Sequence, residues 1–89
     1  MTSLTKKALQ DIRALVQVND HGNAYQLAAK TLGFDDLAEQ LGSINRRHLA
    51  LGHLPCDLYE QRYGLYKGLL TRAKAILSAG EYQQLYRSF

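Results

Sequence analysis

The chain has 89 residues, of which 46% are hydrophobic and 21% charged, and its formal net charge is +3 at pH 7. This length suits one domain, and such a chain can bury a modest core without metal or disulfide help. A single cysteine excludes an intrachain disulfide and fits a reducing compartment. No apolar run approaches the roughly 18 residues of a membrane span, and the polar-interrupted start does not resemble a signal peptide. We therefore expect one domain over residues 1–89, in the cytoplasm and without membrane contact.

The charge is divided unevenly between the two halves of the chain. Residues 1–39 carry four Lys and Arg against five Asp and Glu, whereas residues 40–89 carry seven against three. The second half is therefore mildly basic. This bias favours acidic partners, but it does not by itself identify nucleic acid.

The first two predicted helices cover about residues 4–18 and 24–32. Ser3 or Thr5 can cap the first helix, and the turn-forming residues 19–23 end it. Asn23 is the expected N-cap of the second helix, and Gly33 is expected in the left-handed conformation after its end. The apolar spacing places these residues on inward faces: Leu4, Ala8, Ile12, Leu15 and Val16, then Tyr25, Ala28, Ala29 and Leu32.

A third helix is predicted over residues 35–51, with a carboxylate cap from Asp35 or Asp36 and a stop at Gly52. Its apolar stripe consists of Leu37, Leu41, Ile44, His48 and Leu51. The sequence does not predict a helix-turn-helix motif with this helix as its recognition helix. Glu39 and Gly42 stand where that motif needs buried aliphatic side chains.

Leu54 must be extended because it precedes a proline. Pro55 suits the first turn of the longest predicted helix, about residues 55–77. Ser78 and Glu81 form the S-x-x-E signature of a capping box and begin the last helix, residues 79–88. Its inward face is expected to hold Tyr82, Leu85, Tyr86 and Phe89. No run of alternating β-branched residues predicts a sheet. The expected fold is a small all-α bundle of four to five short helices.

The longest helix has three faces at helical spacing. They consist of a Tyr row (Tyr59, Tyr63, Tyr66, Leu70, Ala73, Leu77), a Leu row (Leu58, Leu65, Leu69, Ile76) and a small-residue row roughly opposite (Gly64, Gly68, Thr71, Ala75). Leu70 lies at the centre of the Tyr row and is expected in the core. Two glycines inside a helix cost about 1 kcal/mol each relative to alanine. A close crossing by the first helix, or by a partner, would offset that cost, whereas the alternative is a tolerated, exposed glycine pair.

Aromatic side chains beside Arg62 and Lys67 could stack on the bases of single-stranded nucleic acid. The favoured alternative is that the tyrosines are core or half-core residues with their hydroxyls at the surface. Arg62 could anchor a partner. The interpretation we favour places its stem on the core edge and its guanidinium in water or against an acidic residue of the first half. Arg46 and Arg47 could contact phosphate, although a solvated face is the simpler interpretation.

Four residues of types that bind zinc lie close together in the sequence: His48, His53, Cys56 and Asp57. Their spacing, H-x4-H-x2-C, matches no closed structural-zinc pattern. Cys56, near a helix N-terminus, could be a reactive thiol, although the sequence places no base beside it. We therefore expect no metal, no cofactor and no catalysis.

The sequence favours a small non-catalytic interaction module, accessory or regulatory, that docks on a larger protein partner. One alternative is a non-sequence-specific nucleic-acid-binding protein that uses residues 40–89, and a second is a self-associating, homodimeric helical subunit. The candidate interaction surface consists of Arg46, Arg47, Tyr59, Arg62, Tyr63, Gly64, Tyr66, Lys67, Gly68 and Thr71.

Overall fold

The computed structural model describes residues 4–89, and five helices follow one another along this part of the chain. They are α1 (Lys6–Gln17), α2 (His21–Thr31), α3 (Asp35–Leu51), α4 (Cys56–Ile76) and α5 (Ala79–Ser88). No strand occurs among the described residues. The predicted all-α bundle is confirmed, and its longest helix is the 21-residue α4. Over the same range, no helix combines the length and the hydrophobicity that crossing a bilayer requires.

Most helix ends follow the predicted local chemistry. The Thr5 side chain caps α1, whereas the alternative cap, Ser3, lies outside the described residues. Ser78 and Glu81 form the capping box of α5. Gly33 and Gly52 adopt positive φ angles of 79° and 76° after α2 and α3, a conformation that glycine reaches without steric cost.

The expected start of α2 is wrong by three residues, because Asp20 and not Asn23 is the N-cap. The Asp20 carboxylate accepts a hydrogen bond from the backbone N–H of Asn23 at 3.4 Å and another from its side-chain amide at 2.9 Å. Two bonds from one residue make Asp20 the better cap, so the helix begins at His21.

The expected carboxylate cap of α3 is also wrong. The N-cap residue is Phe34, and no side-chain hydrogen bond caps the helix there. Asp36 instead accepts hydrogen bonds from Arg72 Nη1 of α4 on both carboxylate oxygens, at 2.9 and 3.0 Å. The Arg72 hydrogen bond holds the pKa of Asp36 below its ordinary value. The guanidinium also lies 4.3 Å from the centre of the Phe34 ring. Arg72 therefore joins the start of α3 to α4.

The hydrophobic core draws on all five helices. Its largest fully buried side chains are Ile12, Leu32, Leu41, Leu69 and Leu85. The second helix contributes three alanines with no exposed surface, Ala24, Ala28 and Ala29. Because these side chains are small, α2 can lie close to its neighbours, while the leucines and isoleucine supply most of the buried volume.

The inward face of α4 runs between the two apolar rows, because its buried residues are Leu58 and Leu69 of the Leu row and Ala73 of the Tyr row. Leu69 and Ala73 are fully buried, whereas Tyr59 and Tyr63 are 56% and 55% exposed. Leu70 is only half-buried and lies outside the core cluster, so its expected place at the core is wrong. Successive helix positions are turned by about 100°, so Leu69 faces inward and the next residue cannot.

Three other residues that the periodicity placed on inward stripes are exposed. They are Leu51, Ile76 and Tyr86. Leu51 and Ile76 are the last residues of α3 and α4. At a helix end the chain turns away, so the last residue of a stripe has fewer neighbours than the residues before it.

The burial pattern of α4 predicts opposite outcomes for two adjacent leucines. Leu69→Ala should lower the free energy of unfolding by about 2–5 kcal/mol, because it leaves a cavity in the core. Leu70→Ala should lower it by about 1 kcal/mol or less, because a half-buried side chain loses less buried area. Urea denaturation followed by circular dichroism measures both values. Equal losses, or a larger loss at Leu70, would mean that α4 is rotated relative to this description.

Candidate functional site

Aromatic side chains from three helices form one surface, which we call the aromatic face: Tyr59, Tyr63 and Tyr66 of α4, Tyr25 of α2 and Tyr86 of α5. The Tyr25 ring stacks on that of Tyr66 with ring centres 3.6 Å apart and planes inclined by 12°. Its other side stacks on Phe89, at 3.9 Å and 5°. Burial raises the pKa of Tyr25, and the nearby phenol groups of Tyr86 and Tyr63 raise it further. The fold therefore gathers these rings although they are far apart in sequence.

Two cations lie over rings of the aromatic face. The Arg62 guanidinium carbon is 5.8 Å from the centre of the Tyr59 ring and 5.6 Å from that of Tyr66. Lys67 Nζ lies 4.8 Å from the centre of the Tyr63 ring. Each contact falls within the distance at which a cation is attracted to a ring face.

Arg62 is half-buried, as expected, but it does not pair with an acidic residue of the first half of the chain. Within residues 4–89 the salt bridge is the one between Arg72 and Asp36. Of the two places expected for its guanidinium, water or an acidic residue, the second is therefore not found among the described residues, and the guanidinium lies against the rings of Tyr59 and Tyr66.

Tyr66 has the most strongly raised pKa of the aromatic face. Its hydroxyl is buried and has no hydrogen-bond partner among the described residues. Burial raises the pKa of Tyr66 to about 12, although the nearby Arg62 acts in the opposite direction. The expectation that the Tyr hydroxyls reach the surface is wrong at this position.

Beside the aromatic face lies a polar cleft of about 740 Å³, between the start of α2, the second half of α3 and Arg62. Side-chain amides form its floor. Asn45 Nδ2 donates to Gln26 Oε1 at 3.1 Å and approaches Asn23 Oδ1 at 3.5 Å. The bond between Asn45 and Gln26 joins α3 to α2 and holds both amides in fixed orientations.

Two glycines make room for these amides. A Cβ atom on Gly42 would lie 2.6 Å from Gln26 Nε2, and one on Gly22 would overlap Asn45 Oδ1. The same two positions are 3.4 Å from a guanidinium nitrogen, that of Arg46 beside Gly42 and that of Arg62 beside Gly22. One arginine therefore flanks each end of the amide pair.

The small-residue row of α4 has no comparable neighbour. Apart from the backbone and chain neighbours of the same helix turn, no atom of residues 4–89 lies within 4 Å of a Cβ built on Gly64 or Gly68, so the expected crossing by the protein's own first helix is wrong. Thr71 is exposed on the same side. Gly64 lines a second groove of about 360 Å³ together with Arg47.

The predicted interaction residues therefore do not form a single surface. Five of them belong to the aromatic face and its cations: Tyr59, Arg62, Tyr63, Tyr66 and Lys67. Arg46 lies at the polar cleft with Arg62, while Arg47 and Gly64 line the second groove and Gly68 and Thr71 face open space. The aromatic face and the polar cleft adjoin, because Arg62 belongs to both.

The sequence did not predict the residues of the cleft floor as part of a site. Gly22, Asn23, Gln26, Gly42 and Asn45 carry no motif, and residues 19–23 have the composition of a turn. A signal did exist, because Gly42 interrupts a strongly periodic helix just as Gly64 and Gly68 do. Only the packing of α2 on α3 distinguishes the glycine with a close neighbour from the two without one.

The potential metal ligands remain apart. No three His, Cys, Asp or Glu side chains come together within residues 4–89 in an arrangement that could hold a metal ion. Cys56 is the first residue of α4 and is exposed. His48 lies at the polar cleft.

No protein-family model, curated protein or solved structure matches this chain, so its function must be argued from its own residues.

The glycines of α3 and α4 make a matched pair for substitution. Gly64→Ala should stabilise the protein by up to about 1 kcal/mol, because alanine is the better helix former and the site is open. Gly42→Ala should leave the protein about 1–2 kcal/mol less stable than Gly64→Ala, because the methyl group displaces Gln26 and breaks its bond to Asn45. Chemical denaturation of both variants tests the difference. Equal stabilisation would show that the amide pair moves aside freely.

Tyr66→Phe should stabilise the protein by about 1 kcal/mol at neutral pH, because it removes a buried hydroxyl without a partner. The raised pKa gives a further effect. The raised pKa of Tyr66 stabilises the folded state fully at a pH below 10.0, the pKa of the unfolded chain. This stabilisation is lost as the pH rises through the folded-state pKa of about 12. The free energy of unfolding should therefore fall less steeply above pH 10 in the variant than in the wild type. Parallel pH profiles would contradict the burial of this hydroxyl. Tyr25, whose pKa is also raised, leaves part of the slope in both proteins.

Proposed function

We propose that the chain is a small non-catalytic interaction module that docks on a larger protein through the aromatic face. The observation that supports this proposal is that Tyr59, Tyr63 and Tyr86 are each more than half exposed, with a cation over the rings of Tyr59 and Tyr63. Tyr and Arg are the residue types that most often dominate the binding energy of protein interfaces. Tyrosine also offers a large contact area with few rotatable bonds, so ordering it on binding costs little entropy.

Nucleic acid is the weaker alternative for this surface. A stacking platform needs ring faces that a base can reach. The faces of Tyr25 and Tyr66 cover each other, and Lys67 lies over the ring of Tyr63. Among the basic residues of the second half, Arg72 is paired with Asp36. These contacts favour a protein partner over a single strand.

Self-association through the aromatic face is also the weaker alternative. In a two-fold dimer, the same patch of both copies meets. Arg62 and Lys67 would then be brought towards their own copies in the other subunit, and like charges at an interface oppose association. A different protein that carries negative charge suits this surface better.

The double variant Tyr59→Ala/Tyr63→Ala should lose the partner, because it removes two exposed anchors without touching the core. Immobilised wild type and variant can be compared for the proteins that they retain from a lysate of the source cells, with quantitative mass spectrometry as the readout. Ile76→Ala is the matched control, since Ile76 is similarly exposed on the same helix but away from the aromatic face. Circular dichroism should show an unchanged helix content in both.

Retention of the same proteins by wild type and double variant would contradict docking through this face. A salt titration with mixed-sequence DNA and RNA tests the first alternative, because electrostatic nucleic-acid binding weakens steeply with salt. Sedimentation of the purified chain tests the second. Strong salt-dependent binding in the one, or a dimer broken by the double variant in the other, would replace the proposal.

A further inference from the structure

The polar cleft contains cationic groups whose counter-charge is missing from the described chain. Arg62 and Arg46 each place a guanidinium nitrogen 3.4 Å from where a glycine Cβ would be, at opposite ends of the amide pair. Neither arginine forms a salt bridge within residues 4–89. Arg62 is half-buried, and a guanidinium that has lost part of its water gains more from an anionic partner than an exposed one.

Asp20 is the single carboxylate among the residues that line this cleft. Both of its oxygens accept hydrogen bonds from Asn23, so the carboxylate is committed to capping α2. The Asp20 carboxylate thereby occupies the N-terminus of α2, which we do not count as a separate anion site. With the histidines neutral, the two arginines leave the cleft with a net positive charge.

The edge of the cleft is apolar, which separates a peptide from a simple anion. Leu49 lines the cleft and is 86% exposed. Val18 is 73% exposed and immediately precedes Asn19, another lining residue. A phosphate ion would leave both side chains in water, whereas a peptide could cover them with its own apolar side chains.

We infer that the polar cleft binds an acidic peptide segment of the partner protein, in which carboxylates alternate with apolar side chains. The carboxylates pair with Arg46 and Arg62, and an apolar side chain packs on Leu49. The side-chain amides of Gln26 and Asn45, already fixed by their mutual bond, offer their remaining donors and acceptors to the peptide backbone. The cleft volume of about 740 Å³ lies within the range of ligand-binding pockets. This inference rests on the proposed docking function and specifies the chemistry of the partner.

The test uses a short acetylated peptide of glutamate and leucine, together with a second peptide in which glutamine replaces glutamate. Each is titrated into the full ¹⁵N-labelled chain, and the side-chain resonances of Gln26, Asn45 and Arg62 are followed by NMR. The glutamate peptide should shift these resonances, and the glutamine peptide should bind about tenfold more weakly. Inorganic phosphate and oligothymidylate are titrated in parallel.

Arg46→Gln and Arg47→Gln form a matched pair, because both remove one exposed charge from neighbouring positions of α3 and only Arg46 lines the polar cleft. Arg46→Gln should weaken binding of the glutamate peptide about tenfold, and Arg47→Gln by less than about twofold. Arg62→Lys keeps the charge but loses the planar fork, so it should also weaken binding. Unchanged backbone spectra outside the cleft verify that each variant is folded.

Equal weakening by Arg46→Gln and Arg47→Gln would show attraction by net charge and overturn the inference. Shifts of the same resonances by phosphate or oligothymidylate at lower concentration would assign the cleft to phosphate groups and also overturn it. No shift with the glutamate peptide overturns it as well. The proposed docking function is tested separately from these results, by the Tyr59→Ala/Tyr63→Ala comparison and by the nucleic-acid and sedimentation measurements described above.

Discussion

The contact between α2 and α3 is built around two glycines, one on each helix, that leave room for side chains of the other helix. Gly22 and Gly42 leave space that the amides of Asn45 and Gln26 occupy. Further along α2, the fully buried Ala28 adds little volume to the same packing. The larger apolar side chains supply the volume of the core elsewhere, and they include Ile12 of α1, Leu41 of α3, Leu69 of α4 and Leu85 of α5.

This packing also determines what the surface can present. Because the two glycines leave room for them, the amides of Gln26 and Asn45 bond to each other across the helix junction. The guanidinium groups of Arg46 and Arg62 then lie on either side of that bond. The floor of the polar cleft is therefore part of the same contact that places α2 on α3. A substitution that weakens the packing of α2 on α3 should therefore also alter the shape of the cleft, even where it changes neither arginine.

The sequence predicted the helices and most of their ends, because capping and left-handed glycine are local effects. It placed α2 too late, since Asp20 looked like part of a turn and its double bond to Asn23 depends on side-chain geometry. It could not decide which residues of the two apolar rows of α4 face inward, because the Tyr and Leu rows are adjacent and the choice depends on neighbouring helices. For the same reason, it could not show that Gly42, and neither Gly64 nor Gly68, has a close neighbour from another helix.

The candidate site was harder to foresee than the fold, because it depends on contacts between residues far apart in sequence. Tyr25 meets Tyr66 and Phe89 only after α2, α4 and the C-terminus have packed together. The resulting stack holds Tyr66 near Arg62, and Arg62 in turn reaches the polar cleft. Since one half-buried guanidinium belongs to both surfaces, a carboxylate bound in the cleft would also change the charge that the aromatic face presents. Under the proposed function, an acidic partner that reaches both surfaces would share this one guanidinium between them, so the two contacts would not be energetically additive.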